Sequence, residues 1–535
     1  VFRRKTAVLL AALTAATSVA APASAATQVW RPGDAFATVT NTAPWTFAQG
    51  SGFDATTYRP LTTYTTGNCG IAGLQALSDP AGLPSAGYNS NNHVVAGAGT
   101  CSSPFSIPAH GLTVHPMAND AIVMWTAPGD QPVSITGLIS DADKSCGNGI
   151  DWRLALLPAG AGSAYWELAR GGFDNGGTAS PITGRSVTSI PAEKGDRIVL
   201  NVSSGGNPDC DLTNVALTIT PVSVPGYAYV AMGDSYSSGE GSPENTFFSD
   251  TKRPDQKSGG TTGCHRSSVG WPTTIAAAKR LSGAQWKFAA CSGARAIDFY
   301  QTNGSNPAER AQMLWLSRTT KLVTYTIGGN DVGFADILKD CVGDPIHYTP
   351  GGFGCSTPGR KGHDTAEAGL TKLTAGMRIS PTGTTRTLAD VYADTARRIS
   401  PTGKVIVAGY PRLFALGGSC QVGVAQKLGG TARIPLSVNA ADVAYLNNVL
   451  VRGNKIIAGA VSAANATLAR EGRKIRVVPA TKVATEFNAH SLCGKNAEYL
   501  NGAVLNGTHT TPDQRSFHPN KYGQSAYAKA VKAAL

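Results

Sequence analysis

The stretch Gly-Asp-Ser-Tyr-Ser-Ser-Gly-Glu-Gly, residues 233–241, decides how this chain is read. It follows the apolar run 227–232, which has the length and composition of a short buried strand. A serine flanked by small residues at the C-terminal edge of such a strand stands where an open α/β sheet puts its ligand crevice. Small neighbours let the backbone turn sharply, present Ser235 Oγ and leave a peptide N–H free to bind an anion. Taken alone, Gly-Asp-Ser suits a polar strand-to-helix turn equally well. Its companions carry the reading further.

Three other segments supply matching chemistry. Cys-Ser-Gly-Ala at 291–294 contains Gly293, whose backbone permits close approach and offers an N–H. Gly-Gly-Asn-Asp at 328–331 follows the strand-like run 321–327 and so reaches the same sheet edge, where Asn330 can present its side-chain amide. Ser-Phe-His-Pro-Asn-Lys-Tyr-Gly at 516–523 precedes the last helical segment and lets His518 fold back towards the serine. A serine hydroxyl attacks an acyl carbon only if a base takes its proton, and histidine titrates in the right range. The tetrahedral intermediate needs fixed donors. The N–H groups of Ser235 and Gly293 and the Asn330 amide could supply them.

These four blocks, in this order, resemble those of the SGNH (GDSL-type) hydrolases, and most of all their secreted actinobacterial esterase/lipase branch. The resemblance covers residues 227–535. It implies a three-layer α/β/α, flavodoxin-like domain, no cofactor, no metal and a Ser235/Gly293/Asn330/His518 site. It also implies three disulfides in this part, which agrees with its six cysteines. One position departs from the pattern. Where the family usually carries an Asp, three residues before the histidine, this chain has Arg515. The Arg515 main-chain carbonyl is therefore expected to orient the imidazole in a Ser–His dyad, with the Asp513 carboxylate as the alternative. Asp331, beside Asn330, is expected to fix its loop and not to act as a triad acid.

The flanking texture agrees with β/α alternation. Strand-like runs lie at 227–232, 321–327, 404–408 and 475–478, and helical patterns at 270–281, 307–316, 388–399, 442–471 and 523–535. Residues 341–387 are rich in Gly, Thr and Pro, and either border a substrate cleft or form a cystine-pinned surface loop.

Upstream the texture changes. Short β-branched runs at 121–125, 133–138, 152–157, 197–202 and 215–219 are separated by turn signals such as Pro-Gly-Asp at 128–130. They predict an all-β, jelly-roll-like sandwich with its core at about 115–220, and residues 42–110 read as loop-like. The expected division is a signal peptide at 1–25, a β-rich accessory domain at 26–221 and the catalytic domain at 222–535, entered through the linker 221–225. Charge divides the same way. Residues 26–221 carry 8 Lys+Arg against 14 Asp+Glu, and residues 222–535 carry 35 against 20. The cations are scattered, among them Lys252, Arg280, Arg318, Arg397, Lys455 and Arg473, so no nucleic-acid partner is expected.

A basic start, an apolar run too short to span a bilayer and Ala-Ser-Ala at 23–25 read as an export signal. The expectation is a secreted, extracellular monomer with no integral membrane segment. The ten cysteines, Cys69, Cys101, Cys146, Cys210, Cys264, Cys291, Cys341, Cys355, Cys420 and Cys493, are expected to be oxidised and paired with their neighbours. Four and six cysteines otherwise allow three and fifteen connectivities. Trp125, Trp152, Tyr165 and Trp166 could stack on a sugar or fill the sandwich core, and Asp141 and Asp143 could hold calcium or sit in a solvated loop. His265 is expected at the surface near a disulfide, and His347, His363, His490 and His509 in polar loops.

The functional expectation is an esterase or lipase acting on acyl esters of lipids, with possible glycan contact through the sandwich. The alternatives are a carbohydrate acetyl esterase acting on plant polysaccharide and a non-catalytic binding protein.

Overall fold

In the computed structural model the described residues are 28–36, 44–160, 165–223, 226–251, 262–342, 354–378, 385–426, 433–505 and 513–535. The expected signal segment, Lys252, His347 and His509 lie outside them.

The C-terminal part is built on five parallel strands: β1 (Tyr229–Ala231), β2 (Trp286–Phe288), β3 (Leu322–Tyr325), β4 (Lys404–Val407) and β5 (Arg476–Pro479). Their order is β2-β1-β3-β4-β5. That order reverses direction at β1/β3, which opens a crevice beyond the strands' carboxyl ends. The central strands are apolar because both faces are covered. Tyr229, Val230 and Ala231 are wholly buried, and so are Val323, Thr324 and Tyr325.

The helices of this part are α1 (Ser235–Ser238), α2 (Trp271–Ala278), α3 (Gly329–Val332), α4 (Phe334–Val342), α5 (Lys361–Ala375), α6 (Leu388–Arg397), α7 (Ala440–Arg470), α8 (Val483–Phe487) and α9 (Lys521–Lys532). They pack in two groups, as a three-layer α/β/α arrangement requires. Helix α9 touches α2 and α8, whereas α7 touches α5 and α6. Side-chain caps start several of them. Thr387 and Asp390 form a capping box on α6, Asn439 caps α7, and Asn520 accepts from the first N–H groups of α9.

Three expectations change here. The helix expected at 307–316 is only a 3-10 turn, Gln312–Trp315. The edge strand β2 was not foreseen, because 286–288 is short and holds Lys287 at its centre. The segment 341–387 contains α5, which buries Ala366, Leu370 and Leu373, so it borders the cleft and is not merely a surface loop.

The N-terminal part is a sandwich of two antiparallel sheets. One runs Trp166–Phe173, Ile150–Leu157, Arg197–Ser203, Asp120–Thr126, Trp45–Gly50, Arg59–Pro60. The other runs Ser180–Ile182, Gln131–Asp141, Thr213–Pro221, Leu112–His115, Ser85–Asn89, Leu74–Ser78, Thr63–Thr66. Residues 42–110, expected to be loop-like, thus supply strands to both sheets, and the sandwich core begins well before residue 115. Their Gly, Thr and Asn content hid short strands such as Ser85–Asn89, which is paired on both sides. Alternate residues Trp45, Phe47, Val123, Trp125, Leu154 and Ile219 point between the sheets. Trp30 pairs with Ile219 and packs on Trp125 at 5.2 Å. Trp125, Trp152, Tyr165 and Trp166 are all buried, so none of them offers a face to a sugar.

The two parts meet through buried contacts. Arg398 Nη1 lies 2.6 Å from Asp196 Oδ2, Arg318 lies 2.6 Å from Glu193, and Trp166 stacks on Tyr300 at 5.9 Å. The cysteines pair as neighbours: Cys69–Cys101, Cys146–Cys210, Cys264–Cys291, Cys341–Cys355 and Cys420–Cys493.

Candidate active site

Ser235 opens α1 directly after β1. Asp234 caps that helix by accepting from Tyr236 N at 3.1 Å, and it also accepts from Thr326 Oγ1 at 2.6 Å and from the Tyr410 hydroxyl. Burial pushes its carboxyl up to about 6, against the pull of these donors. Gly233 is required for two reasons. Its φ is 114°, and a Cβ there would lie 2.4 Å from the Thr326 carbonyl oxygen. Gln312 clamps the same peptide, accepting from Gly233 N at 2.6 Å and donating to Gly233 O at 2.9 Å.

Asn330 stands on α3, at the end of β3. Its Nδ2 donates to Ala294 O at 2.9 Å, which joins the Asn330 and Gly293 turns. Asp331 accepts from Ala296 N at 3.0 Å and fixes the loop, as the sequence suggested; burial pushes its carboxyl up to about 7. The N–H groups of Ser235 and Gly293 have no hydrogen-bond partner among the described residues.

His518 arrives from the loop before α9. Its Nε2 lies 2.7 Å from Ser235 Oγ, across 283 positions of sequence. Phe517 takes a left-handed φ of 60°, and its carbonyl accepts from the Tyr236 hydroxyl at 2.8 Å. The Tyr236 ring also packs on the imidazole at 5.0 Å. This enclosure holds the imidazole below its usual value, and the negative charge of Glu240 partly offsets that effect.

The orienting group differs from expectation. His518 Nδ1 lies 2.9 Å from the Ser516 carbonyl oxygen. The Arg515 carbonyl instead accepts from Asn501 Nδ2 at 3.0 Å, and the Asp513 carboxylate is held by Arg515 Nε at 2.9 Å. The left-handed turn at Phe517 brings the carbonyl of 516 under the ring, a turn that no Gly or Asn marks in the sequence.

Ser235, Gly293, Asn330 and His518 all line one cavity of about 730 Å³. Much of its lining is apolar: Val332, Phe334 and Leu338, Leu370 and Leu373 of α5, Leu436, and Val449, Leu450 and Ile457 of α7. A cavity of this size and character suits an acyl chain.

The model of the GDSL-like Lipase/Acylhydrolase family matches residues 231–526, more than half of the sequence. The chain belongs to that family. It is 29% identical over 297 residues to a lipase of Streptomyces rimosus, a match spanning 56% of this chain and 82% of that one. It is 32% identical over 224 residues to lipase 1 of Streptomyces coelicolor, spanning 42% and 64% respectively. Among solved structures it is similar to an extracellular lipase from Streptomyces rimosus at 27% identity and a TM-score of 0.38, covering 58% of this chain and all of that one. This GDSL-like lipase/acylhydrolase is accordingly a carboxylic-ester hydrolase.

Several side residues of this hydrolase differ from expectation. His265 is buried, with Nδ1 at 2.8 Å from both Glu240 carboxylate oxygens and its ring stacked on Phe247. His363 lies on α5 and not in a loop, with its ring stacked on Tyr445, and His490 stacks on Tyr499. Asp143 is buried and accepts from Ser145 N at 3.1 Å, while Asp141 accepts from Gly176 N at 2.8 Å, so these acids cap turns. No helix among the described residues is long and apolar enough to cross a membrane.

The residues sequence reasoning missed are Tyr236, Gln312, Tyr410, Ser516, Glu240 and Asn501. Tyr236 and Glu240 lay inside the quoted motif. Gln312 and Tyr410 have no local signal at all.

Proposed function

We propose that this hydrolase is an exported serine esterase/lipase that cleaves acyl esters of lipids through Ser235 and His518. The observation that carries the reading is the 2.7 Å contact between Ser235 Oγ and His518 Nε2 in the lining of a largely apolar cavity of about 730 Å³. His518 takes the Ser235 proton as Oγ attacks the ester carbonyl, then passes it to the leaving alcohol. The N–H groups of Ser235 and Gly293 and the Asn330 amide receive the oxyanion. Water, deprotonated by the same histidine, releases the acid and restores Ser235. The Ser516 carbonyl keeps the proton on His518 Nδ1, so Nε2 stays the basic nitrogen.

In the same reading residues 1–25 direct export, 26–221 form an accessory domain and 222–535 the catalytic domain. Five disulfides favour an oxidising compartment. The apolar wall favours lipid acyl chains over the acetyl groups of a polysaccharide.

Hydrolysis of p-nitrophenyl esters from acetate to palmitate, with Ser235→Ala as control, tests the proposal. Turnover that peaks at butyrate or longer and vanishes in the variant is expected. Acetate-only turnover would favour a carbohydrate esterase, and full activity in Ser235→Ala would remove the serine mechanism.

A further inference from the structure

A serine hydrolase triad asks two things of its acid: to hold the histidine in one tautomer and to stabilise the imidazolium that forms during attack. Here the Ser516 carbonyl does the first and carries no charge for the second. We propose that Glu240, held against His265 and tied to the nucleophile turn, is the positioning charge that stabilises the His518 imidazolium. This rests on Ser235 and His518 being the reacting pair.

Glu240 follows Gly239, the residue that caps the end of α1, and is wholly buried. Its own N–H donates to Ser235 O at 3.1 Å, which ties it to the nucleophile turn. Both carboxylate oxygens lie 2.8 Å from His265 Nδ1. His265 Nε2 is buried without a hydrogen-bond partner among the described residues.

The pair is locked to both halves of the site. A Cβ on Gly241 would lie 2.7 Å from the His518 carbonyl oxygen, so the chain after Glu240 runs directly against the histidine's backbone. Asn501 Nδ2 bridges Gly241 O at 2.8 Å and Arg515 O at 3.0 Å, pinning the two loops together. On the other side, Cys264, next to His265, is bonded to Cys291 and accepts from Ser292 N at 3.1 Å, just before Gly293.

The other charged groups nearby act on His518 less strongly than Glu240 or in the opposite sense. On the histidine's own loop Asp513 and Arg515 pair at 2.9 Å and largely cancel. Glu244 acts on Arg515, and His265 acts against a proton on His518. After burial, the Glu240 charge is the largest influence on the His518 proton, and it favours the protonated ring. A buried carboxylate is costly to keep. Beside a histidine that must become positive during each turnover, that charge acts on the barrier.

The test is kcat/KM against pH for the full chain, with Glu240→Gln and Glu240→Asp beside Ser235→Ala and p-nitrophenyl butyrate as substrate. Glu240→Gln can still accept from His265 but carries no charge. It should move the acid limb down by about half to one pH unit and lower the plateau roughly tenfold. Glu240→Asp should keep the limb near its original position. If neither variant folds, His265→Gln serves, since it leaves the carboxylate charged and can donate to it. Its limb should stay within about 0.2 units or rise.

An unmoved limb in Glu240→Gln overturns the proposal, as does a limb that falls equally in the Asp variant or falls in His265→Gln. Activity surviving in Ser235→Ala removes the reacting pair itself. A dead Ser235→Ala beside an unmoved limb overturns only the role of Glu240.

Discussion

Two clusters of buried polar side chains sit in this molecule, and they are built on opposite principles. Between the sandwich and the parallel sheet, Arg398 is 3% exposed and satisfied by Asp196, Glu193 and the Pro191 carbonyl, with Trp166 beneath its guanidinium. Arg318 adds a second pairing to Glu193. At the sheet's carboxyl edge, by contrast, the N–H groups of Ser235 and Gly293 have no partner among the described residues, and the histidine is held below its ordinary basicity. Charges that are all paired hold two surfaces in one register. Donors kept open are poised for an atom that arrives only with the substrate.

The sharpest way to break this comparison is to remove members of each cluster and ask which property falls. At the open cluster, Ser235→Ala should lower kcat by about 10⁴-fold or more with little change in melting temperature. Asn330→Ala should cost about 10²–10³-fold in kcat, with KM for short esters nearly unchanged. A melting point that collapses in Ser235→Ala would make the serine structural. At the closed cluster, Arg398→Ala leaves Asp196 buried and unpaired. It should destabilise the fold by about 3–5 kcal/mol in denaturant titrations while kcat of the folded fraction stays close to that of the parent. An Arg398→Ala protein of parental stability would show the junction to be incidental.

These two clusters were not equally legible. The reacting residues could be read from sequence because each lies in a short motif at the end of a strand or the start of a helix. Backbone geometry there demands glycine, as at Gly233, or a capping residue, as at Asp234. The central strands were legible for the same kind of reason, since burial on both faces forces runs such as residues 322–325 to be apolar. The junction was invisible. Arg398 and Asp196 lie 202 positions apart, and nothing local distinguishes them from solvated charges. The strands at 45–89 were missed because edge and hairpin strands tolerate Gly, Thr and Asn. The orienting carbonyl was missed by one residue because the left-handed turn at Phe517 falls on a bulky side chain, which sequence rules assign to extended or helical backbone.

A smaller effect sharpens the contrast within the cavity. Gly453 of α7 faces the cleft opposite Leu370, and a Cβ placed on it would still be 3.8 Å from the nearest leucine atom. Gly453→Leu therefore has room for its first carbon and fills space only further out. The preferred p-nitrophenyl ester should shorten by several carbons, with butyrate turnover reduced no more than about threefold. An unchanged chain-length profile would place the acyl group elsewhere in the cavity.

The acid limb of the parent enzyme follows from His518. The base must be neutral to act, and enclosure holds its pKa below the free value of about 6.5. Activity should therefore rise with pH through a limb lying below that value and stay high through neutrality. A limb above about 7 would mean that the Glu240 charge outweighs burial.

The least disruptive probe is Tyr236→Phe, because it removes one oxygen and keeps the ring that packs on His518. That hydroxyl donates to the carbonyl of Phe517, the residue whose left-handed backbone sets the Ser516 carbonyl under the imidazole. Losing the bond should cost about 1–2 kcal/mol of stability, since it takes the donor from the carbonyl of a buried residue. If the hydroxyl only stabilised the fold, kcat would be untouched. If it also holds the turn, the histidine should wander from Ser235, and kcat should fall several-fold more than KM rises. A matched loss of stability with unchanged kcat would move Tyr236 into the closed class of cluster, alongside Arg398.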